Sequence, residues 1–279
     1  MISPRRSTAR VQIDRIRGGE SRTRPDVVAV EEPLEIRLQL SSGAEHQVAV
    51  TMRTPGDDFE LAAGFLHGER LIAGRSDVTE IRYCTNVDPQ EFNVVTVHLR
   101  PGASFDPATL DRNFYTTSSC GVCGKASLEA IEVRGCSPLP VGGVRVDAAV
   151  IRTLPDAIRE RQKVFDRTGG LHAAGLFDLS GELLELREDV GRHNAVDKVV
   201  GHALLGGGVP LPDRILTVSG RASFEIMQKA LAAGIPIVVA VGAPSSLAVD
   251  LAREFRMTLA GFATAEGFNV YAGSERLEI

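Results

Sequence analysis

ILTVSGRASFEIMQKALAAGIPIVVAVGAPSSLAVDLAREFRMTLAGF, residues Ile215–Phe262, alternates short apolar runs with amphipathic ones. The runs Ile215–Ser219, Ile237–Val241 and Thr258–Phe262 are short, continuous and rich in Ile, Leu, Val and Thr, as strands buried on both faces are. Between them, Phe224–Ala233 and Leu247–Phe255 space their apolar residues as helices do. Strand, helix, strand, helix, strand implies parallel strands joined by helical crossovers, and hence a layered α/β fold. A consequence follows for function. The loops Ser219–Ser223, Gly242–Ser246 and Ala263–Gly267 each leave the carboxyl end of a parallel strand, so they should lie along one sheet edge, where open α/β sheets take ligands. Two of them open onto helix N-termini, which favour a phosphate or other anion. Taken singly, each is equally an ordinary Gly- and Ser-rich turn; together they point to a nucleotide-like ligand.

Working towards the N-terminus, Arg192 to Leu205 reads as a helix, and Leu171–Leu179 with Leu183–Arg187 as a hairpin through Ser180-Gly181. Thr153-x-x-Asp156 resembles a capping box opening a helix with Leu154, Ile158 and Phe165 on one face. From Val27 to Leu99 the rhythm is that of a small α+β unit. Leu34, Ile36, Leu38 and Leu40 alternate strictly, Ser41-Ser-Gly43 turns the chain, and Val48, Val50 and Met52 return as the hairpin partner. Phe59, Leu61, Ala62, Phe65 and Leu66 fall at helical spacing and end at Gly68, and strands follow near Val78–Tyr83 and Phe92–Leu99. This divides the chain into residues 1–25, a disordered basic arm; 26–115, the α+β domain; 116–140, a mobile loop and linker; and 141–279, the α/β domain.

Composition narrows the function. The 279 residues carry a net charge of −5 and a pI near 5.7, so there is no global basic field for nucleic acid or an anionic membrane. No apolar run is long enough to span a bilayer, and the arm, with its seven Arg, lacks the apolar stretch a secretory or twin-arginine signal needs. Four cysteines are too few for a disulfide scaffold, which favours free thiols in a reducing cytoplasm.

Only two of the four lie close together: Thr116-Thr-Ser-Ser-Cys-Gly-Val-Cys-Gly124 places Cys120 and Cys123 in a Ser/Thr/Gly-rich loop. A structural zinc wants four ligands, usually two such knuckles, and Cys84 and Cys136 stand at no common finger spacing. A zinc deaminase needs His-x-Glu ahead of Pro-Cys-x-x-Cys. Here Ser119 precedes Cys120, and His172-Ala-Ala follows the cysteines without the glutamate. A thioredoxin-type redox pair would want a buried strand directly before it, and two inert buried thiols would want apolar surroundings. Sulfur transfer requires an ionised, exposed thiol with reach. Gly121 and Gly124 give reach, while Lys125 and a short helix over Ala126–Ile131 favour the thiolate. Cys123 then either releases the sulfur by forming a disulfide with Cys120 or steadies the loop.

Ser118–Lys125, together with Phe165-Asp-Arg-Thr-Gly-Gly-Leu-His-Ala-Ala174 and Glu188-Asp-Val-Gly-Arg-His-Asn-Ala-Val-Asp-Lys198, resembles the FdhD family of formate dehydrogenase accessory sulfurtransferases. The likeness continues in order through Ser219–Phe224, Ala233–Pro236, Ala243–Ala248 and Phe268–Tyr271. It implies a cytidine-deaminase-like, three-layer C-terminal α/β domain lacking catalytic zinc, and a cytosolic homodimer. It further implies that sulfur from a cysteine desulfurase is delivered to the Mo-bis(molybdopterin guanine dinucleotide) cofactor, or its tungsten counterpart, that formate dehydrogenase requires. On that pattern Cys120 carries the persulfide and Cys123 is its partner. The cofactor-contacting stretch corresponds to Phe262, Ala263, Thr264, Ala265, Glu266 and Gly267. This stretch departs from the basic character expected there. Glu266 is unfavourable beside a pyrophosphate, which shifts the binding towards backbone N–H groups, Arg221 and Arg192. His193 reads either as a proton-handling residue near the transferring sulfur or as a helix-start histidine in an ionic network, and His172 as a satisfied core residue. A cofactor-binding chaperone and a thiol–disulfide oxidoreductase are the competing functions.

Overall fold

A computed structural model describes residues 6–85, 90–103, 136–140 and 143–279. The stretch that led the sequence reading folds as expected: β10 (Ile215–Val218), β11 (Ile237–Ala240) and β12 (Thr258–Gly261) are parallel neighbours. They form the middle of a six-stranded sheet ordered β13-β12-β11-β10-β8-β9, with β8 (His172–Phe177), β9 (Leu183–Asp189) and β13 (Asn269–Ala272) antiparallel to their neighbours.

Strand alternation distributes the apolar side chains to two layers. Leu216, Val218, Val238, Ala240 and Leu259 pack beneath α4 (Arg192–Leu205), α5 (Phe224–Ala232) and α6 (Ser246–Glu254). Ile215, Ile237, Val239 and Ala260 face the other way, onto Ile151, Leu154 and Ile158 of α2 (Ala148–Arg161). The result is three layers, helix on sheet on helix. Here α2 corrects one boundary. Asp147 caps it by accepting from the Ala149 N–H at 2.7 Å, and Thr153 sits inside the helix donating to the Val150 carbonyl. The true cap lies upstream because Asp147 is extended and free to turn its carboxylate back on the first amides. Phe165 belongs to a separate short helix, α3 (Lys163–Thr168).

The N-terminal unit is a four-stranded sheet, β4-β3-β6-β5, made of β3 (Glu32–Gln39), β4 (Glu45–Arg53), β5 (Val78–Tyr83) and β6 (Val94–Leu99). Leu34, Ile36, Leu38, Val48, Val95 and Val97 cover α1 (Asp58–Gly68) through Leu61, Ala62 and Leu66. Two short strands, β7 (Val146–Asp147) and β14 (Leu277–Glu278), tie the C-terminus to the start of α2.

The two units meet where α1 crosses α4, and they meet on glycine. A Cβ on Gly64 would stand 1.8 Å from the Asp197 carbonyl oxygen, and one on Gly201 would stand 1.9 Å from that of Glu60. Backbone therefore lies on backbone. The same junction holds a buried polar knot: Lys198 Nζ bonds the Asp189 carboxylate at 2.7 Å and the Thr54 carbonyl at 2.9 Å, and the Thr54 N–H donates to Asp189 at 3.2 Å. Asn194 donates to both Asp189 and the Met52 carbonyl. Asp197 pairs with Lys229 of α5 at 2.7 Å. Much of the Glu188–Lys198 motif thus serves to join the units.

The expectation of a disordered arm is overturned. Thr8–Arg17 (β1) and Glu20–Ala29 (β2) form a hairpin paired along its whole length. Its turn is Gly18-Gly19, both at positive φ (56° and 85°), the conformation that matches the twist of paired strands and that glycine adopts without strain. Arginine density hid the signal, because Val11, Ile13 and the Gly-Gly pair are a hairpin pattern diluted by charge. No helix among the described residues is long and apolar enough to cross a membrane.

Candidate functional site at the sheet edge

The three loops at the carboxyl ends of β10, β11 and β12 are zipped together by their backbones. Gly242 N–H donates to the Gly220 carbonyl at 2.9 Å, Ser245 N–H to Ala222 at 3.0 Å, Phe262 N–H to Gly242 at 3.2 Å and Ala263 N–H to Ala240 at 3.1 Å. Glycine at 242 favours this contact, since a Cβ would lie 3.0 Å from the Gly220 oxygen and 3.1 Å from both N and Cγ of Arg221, close enough that the neighbouring loop would have to shift by a few tenths of an ångström. Arg221 and Phe262 are brought together on either side of Gly242. Both are exposed. Phe262 is held at φ 53° with half its surface in water, a conformation a bulky residue adopts only where its surroundings impose it. Ala263 is buried and anchors the stretch; Thr264 to Gly267 close a turn through reciprocal N–H to carbonyl bonds, leaving Thr264, Ala265 and Glu266 exposed.

The start of α4 adds one cation, Arg192, and one imidazole, His193, beside this edge. Arg192 buries its Nε without a hydrogen-bond partner among the described residues. His193 Nε2 lies 3.0 Å from the Ser223 hydroxyl and 3.7 Å from the Glu225 carboxylate. Burial first, and the adjacent Arg192 charge second, press the His193 pKa down to about 4, so the ring is neutral at physiological pH. Glu225 is held below the ordinary carboxylate range: burial pushes it up, but backbone and Ser223 hydrogen bonds and the facing imidazole outweigh that. Ser223 consequently leaves the first amides of α5 without a side-chain cap, whereas Ser245 caps α6 by accepting from Ala248 N–H at 3.2 Å.

His172 is a correction. It is half-buried rather than a satisfied core residue: its Nδ1 would lie 3.3 Å from a Cβ on Gly220, no hydrogen bond to it is made among the described residues, and burial lowers its pKa. The reason is topological. β8 runs antiparallel to β10, so the first residue of β8 lands beside the last of β10. The Leu171–Leu179 hairpin was legible in the sequence, but its pairing with β10, which brings His172 to the edge, is a long-range contact that no local pattern specifies. His193 sits at a helix start as a neutral ring hydrogen-bonded to Ser223 and beside the Glu225 carboxylate. Ser223 and Glu225 were not singled out from sequence because their only signal was helix-capping character.

Cys120 and Cys123 lie outside the described residues, as does the helix expected over Ala126–Ile131. Of the other cysteines, Cys84 is partly exposed and Cys136 is buried in the main core, both as free thiols. The edge thus presents an aromatic face and two guanidinium groups, a set suited to a planar base carrying phosphates.

Comparison with known proteins identifies the family. The chain is 54% identical over 278 residues to the sulfur carrier protein FdhD of Streptomyces coelicolor, covering 98% of this chain and 97% of that one. It is 48% identical to the protein of that name from Mycobacterium tuberculosis (97% and 99% covered) and 42% identical to that of Sulfolobus acidocaldarius (97% and 98%). Among solved structures, a formate dehydrogenase accessory protein from Desulfotalea psychrophila superposes with a TM-score of 0.75 at 26% identity, covering 98% of this chain and all of that one. With the FdhD/NarQ family model matching residues 29–278 as well, this chain belongs to the FdhD/NarQ family.

Proposed function

We propose that this chain is a sulfur carrier for formate dehydrogenase maturation. In this reading Cys120 accepts sulfur from a cysteine desulfurase and passes it to the molybdenum or tungsten bis(guanine dinucleotide) cofactor, which is the substrate to be sulfurated. The observation that carries the proposal is membership of a family whose curated relatives are named sulfur carrier proteins, in a chain that keeps paired thiols at Cys120 and Cys123. The Cys120 thiolate attacks the outer sulfur of the donor's persulfide. The donor's S–S bond breaks, its cysteine leaves as thiolate, and Cys120 becomes the persulfide. For release, the Cys123 thiolate attacks the Cys120 sulfur, the outer atom departs as sulfide to the substrate, and the resulting disulfide is reset by a thiol reductant.

Acceptor binding falls to the sheet edge, at Arg221 and Phe262–Gly267. The exposed ring of Phe262 supports stacking of the guanine, and Arg221 with Arg192 supports the phosphates. Glu266 and Glu225 repel phosphate, which favours the Arg221 side of the edge over the Glu266 side. The strand order β9-β8-β10-β11-β12, with β8 reversed, supports a deaminase-like ancestry, and Ser119 in place of the Pro that precedes Cys-x-x-Cys in zinc deaminases supports one without the catalytic zinc.

The test separates the two halves. After incubation with a cysteine desulfurase and cysteine, mass spectrometry should find one added sulfur on Cys120, and Cys120→Ala should abolish it while leaving GDP affinity unchanged. Phe262→Ala should do the reverse, weakening GDP binding by about 5- to 150-fold, the equivalent of losing one stacked base at about 1–3 kcal/mol. Sulfur absent from Cys120 would leave a cofactor-binding chaperone, and catalytic turnover of disulfides would make the chain an oxidoreductase.

A further inference from the structure

The β1–β2 hairpin stands outside both cores. It forms a sheet of its own, with no third strand on either edge among the described residues, and a lone two-stranded ribbon is marginal in water. At its base, Val30 N–H donates to the Ser7 carbonyl at 2.9 Å, and Arg167 of α3 reaches across to the Thr8 hydroxyl at 3.4 Å. A cavity of about 840 Å³ opens at this joint, walled by the start of the hairpin, by Val27, Val30 and Glu32, and by Arg167.

Three guanidinium groups line the cavity, and they come from two parts of the fold. Arg6 and Arg10 belong to the arm, Arg167 to the body. Arg10 stands opposite Val27 and Thr8 opposite Ala29; strand residues two apart share a face, so Arg10 and the Thr8 hydroxyl point to the same side. None of the three arginines has a carboxylate partner among the described residues. Asp166, next to Arg167, is paired with Arg159 at 2.6 Å. Glu32, the carboxylate in the wall, meets the buried Arg53 at 3.4 Å. On a chain whose net charge is −5, three unpaired guanidinium groups around one concavity form a local field of opposite sign, which attracts an anion.

The number of cations selects the kind of anion. A lone carboxylate satisfies one guanidinium fork, whereas three forks arriving from different elements suit a group with several oxygens and more than one charge. Phosphates have that form, and arginine binds them bidentately. We propose that this cavity binds a diphosphate group, free or carried on a larger molecule, and that the bound group clamps the hairpin to the body. Arg6 and Arg10 hold it from the arm and Arg167 from α3. The Thr8 hydroxyl accepts from Arg167 and so keeps its own proton to donate. Ala9, Val27 and Val30 supply an apolar wall for whatever the diphosphate carries. An anion held from both sides favours the docked hairpin over a detached one by its difference in affinity for the two. Arg221 and Phe262–Gly267 take no part, so the proposal stands independently of sulfur transfer.

The probe is inorganic pyrophosphate, and the readout is amide hydrogen exchange of the full chain followed by mass spectrometry. At about 0.1 M salt, pyrophosphate should slow exchange across Thr8–Ala29 with a half-maximal concentration of about 1 mM or lower. Arg10→Gln/Arg167→Gln should raise that concentration by about tenfold or more, as the loss of charge-assisted contacts requires. Phe262→Ala, which alters the sheet edge, should leave it unchanged, and so should Arg15→Gln/Arg24→Gln at the far end of the ribbon. ADP in place of pyrophosphate separates the two sources of the group: tighter protection by ADP assigns the apolar wall to the attached body, and equal protection assigns the site to the diphosphate alone. The parent protein supplies the primary measurement, so the test does not depend on a variant folding. Hairpin exchange indifferent to pyrophosphate and ADP, or an effect that survives Arg10→Gln/Arg167→Gln, or one lost equally in Arg15→Gln/Arg24→Gln, would overturn the proposal. So would single-stranded RNA protecting the whole ribbon where pyrophosphate does not.

Discussion

Replacing Gly201 by alanine tests the junction on which the site is mounted. A Cβ at this position would sit 1.9 Å from the Glu60 carbonyl oxygen and 2.7 Å from its carbon, where contacts under 3.0 Å essentially never occur. The obstacle is backbone, so no side chain can swing aside, and α1 and α4 must separate by about 1 Å or more. That displacement stretches the bonds at the same junction, including Lys198 to Thr54 at 2.9 Å and Thr54 to Asp189 at 3.2 Å, beyond hydrogen-bonding range. Overpacking typically costs about 1–3 kcal/mol, and each buried hydrogen bond lost adds about 1–1.5 kcal/mol. Against this, alanine in a helix interior is favoured over glycine by about 1 kcal/mol. Sterics win, leaving a net loss of about 2–5 kcal/mol, or a drop of roughly 4–20 °C in Tm for a chain of this size. Urea and thermal unfolding followed by circular dichroism would measure it, with Gly74→Ala as control because nothing lies within 4 Å of a Cβ there. A Gly201→Ala protein as stable as its parent, or more so, would refute the close crossing.

Lys198→Met should cost about 3–5 kcal/mol by leaving the fully buried Asp189 charged and unpaired. Asp189→Asn combined with Lys198→Met should recover part of that loss in urea unfolding, and a single variant with no cost would show that the pair contributes nothing. His193 makes stability depend on pH with a defined sign. Its folded pKa of about 4 lies below the ordinary histidine value of 6.5, so between those values the unfolded chain binds the extra proton, and stability that is complete above pH 6.5 is lost as pH falls towards 4. With the ring a third exposed, about 1–2 kcal/mol is the discounted size of the effect. His193→Gln should flatten the stability profile across that window, and parallel profiles for the two proteins would remove His193 as the cause.

The order of elements from Leu171 to Phe262 was legible in the sequence because strands buried on both faces and amphipathic helices differ in period, and periodicity is a local property. So was the meeting of the three loops at one edge, which parallel strands and helical crossovers require. The thiol pair was legible as chemistry, since Cys120 and Cys123 are recognisable from residue type and spacing alone. Local pattern failed where charge diluted it, as in the Gly-Gly hairpin at Thr8–Ala29, and where a nearby cap competed, as at Asp147 against Thr153. What only the tertiary structure decided were partnerships between residues distant along the chain. Asp189, Asn194 and Lys198 close a knot with Thr54; Gly64 and Gly201 permit a backbone crossing; His172 and His193 arrive beside Ser219–Ser223. Such pairings are set by which surfaces meet when the sheets and helices pack, and no spacing within one segment encodes the address of its partner.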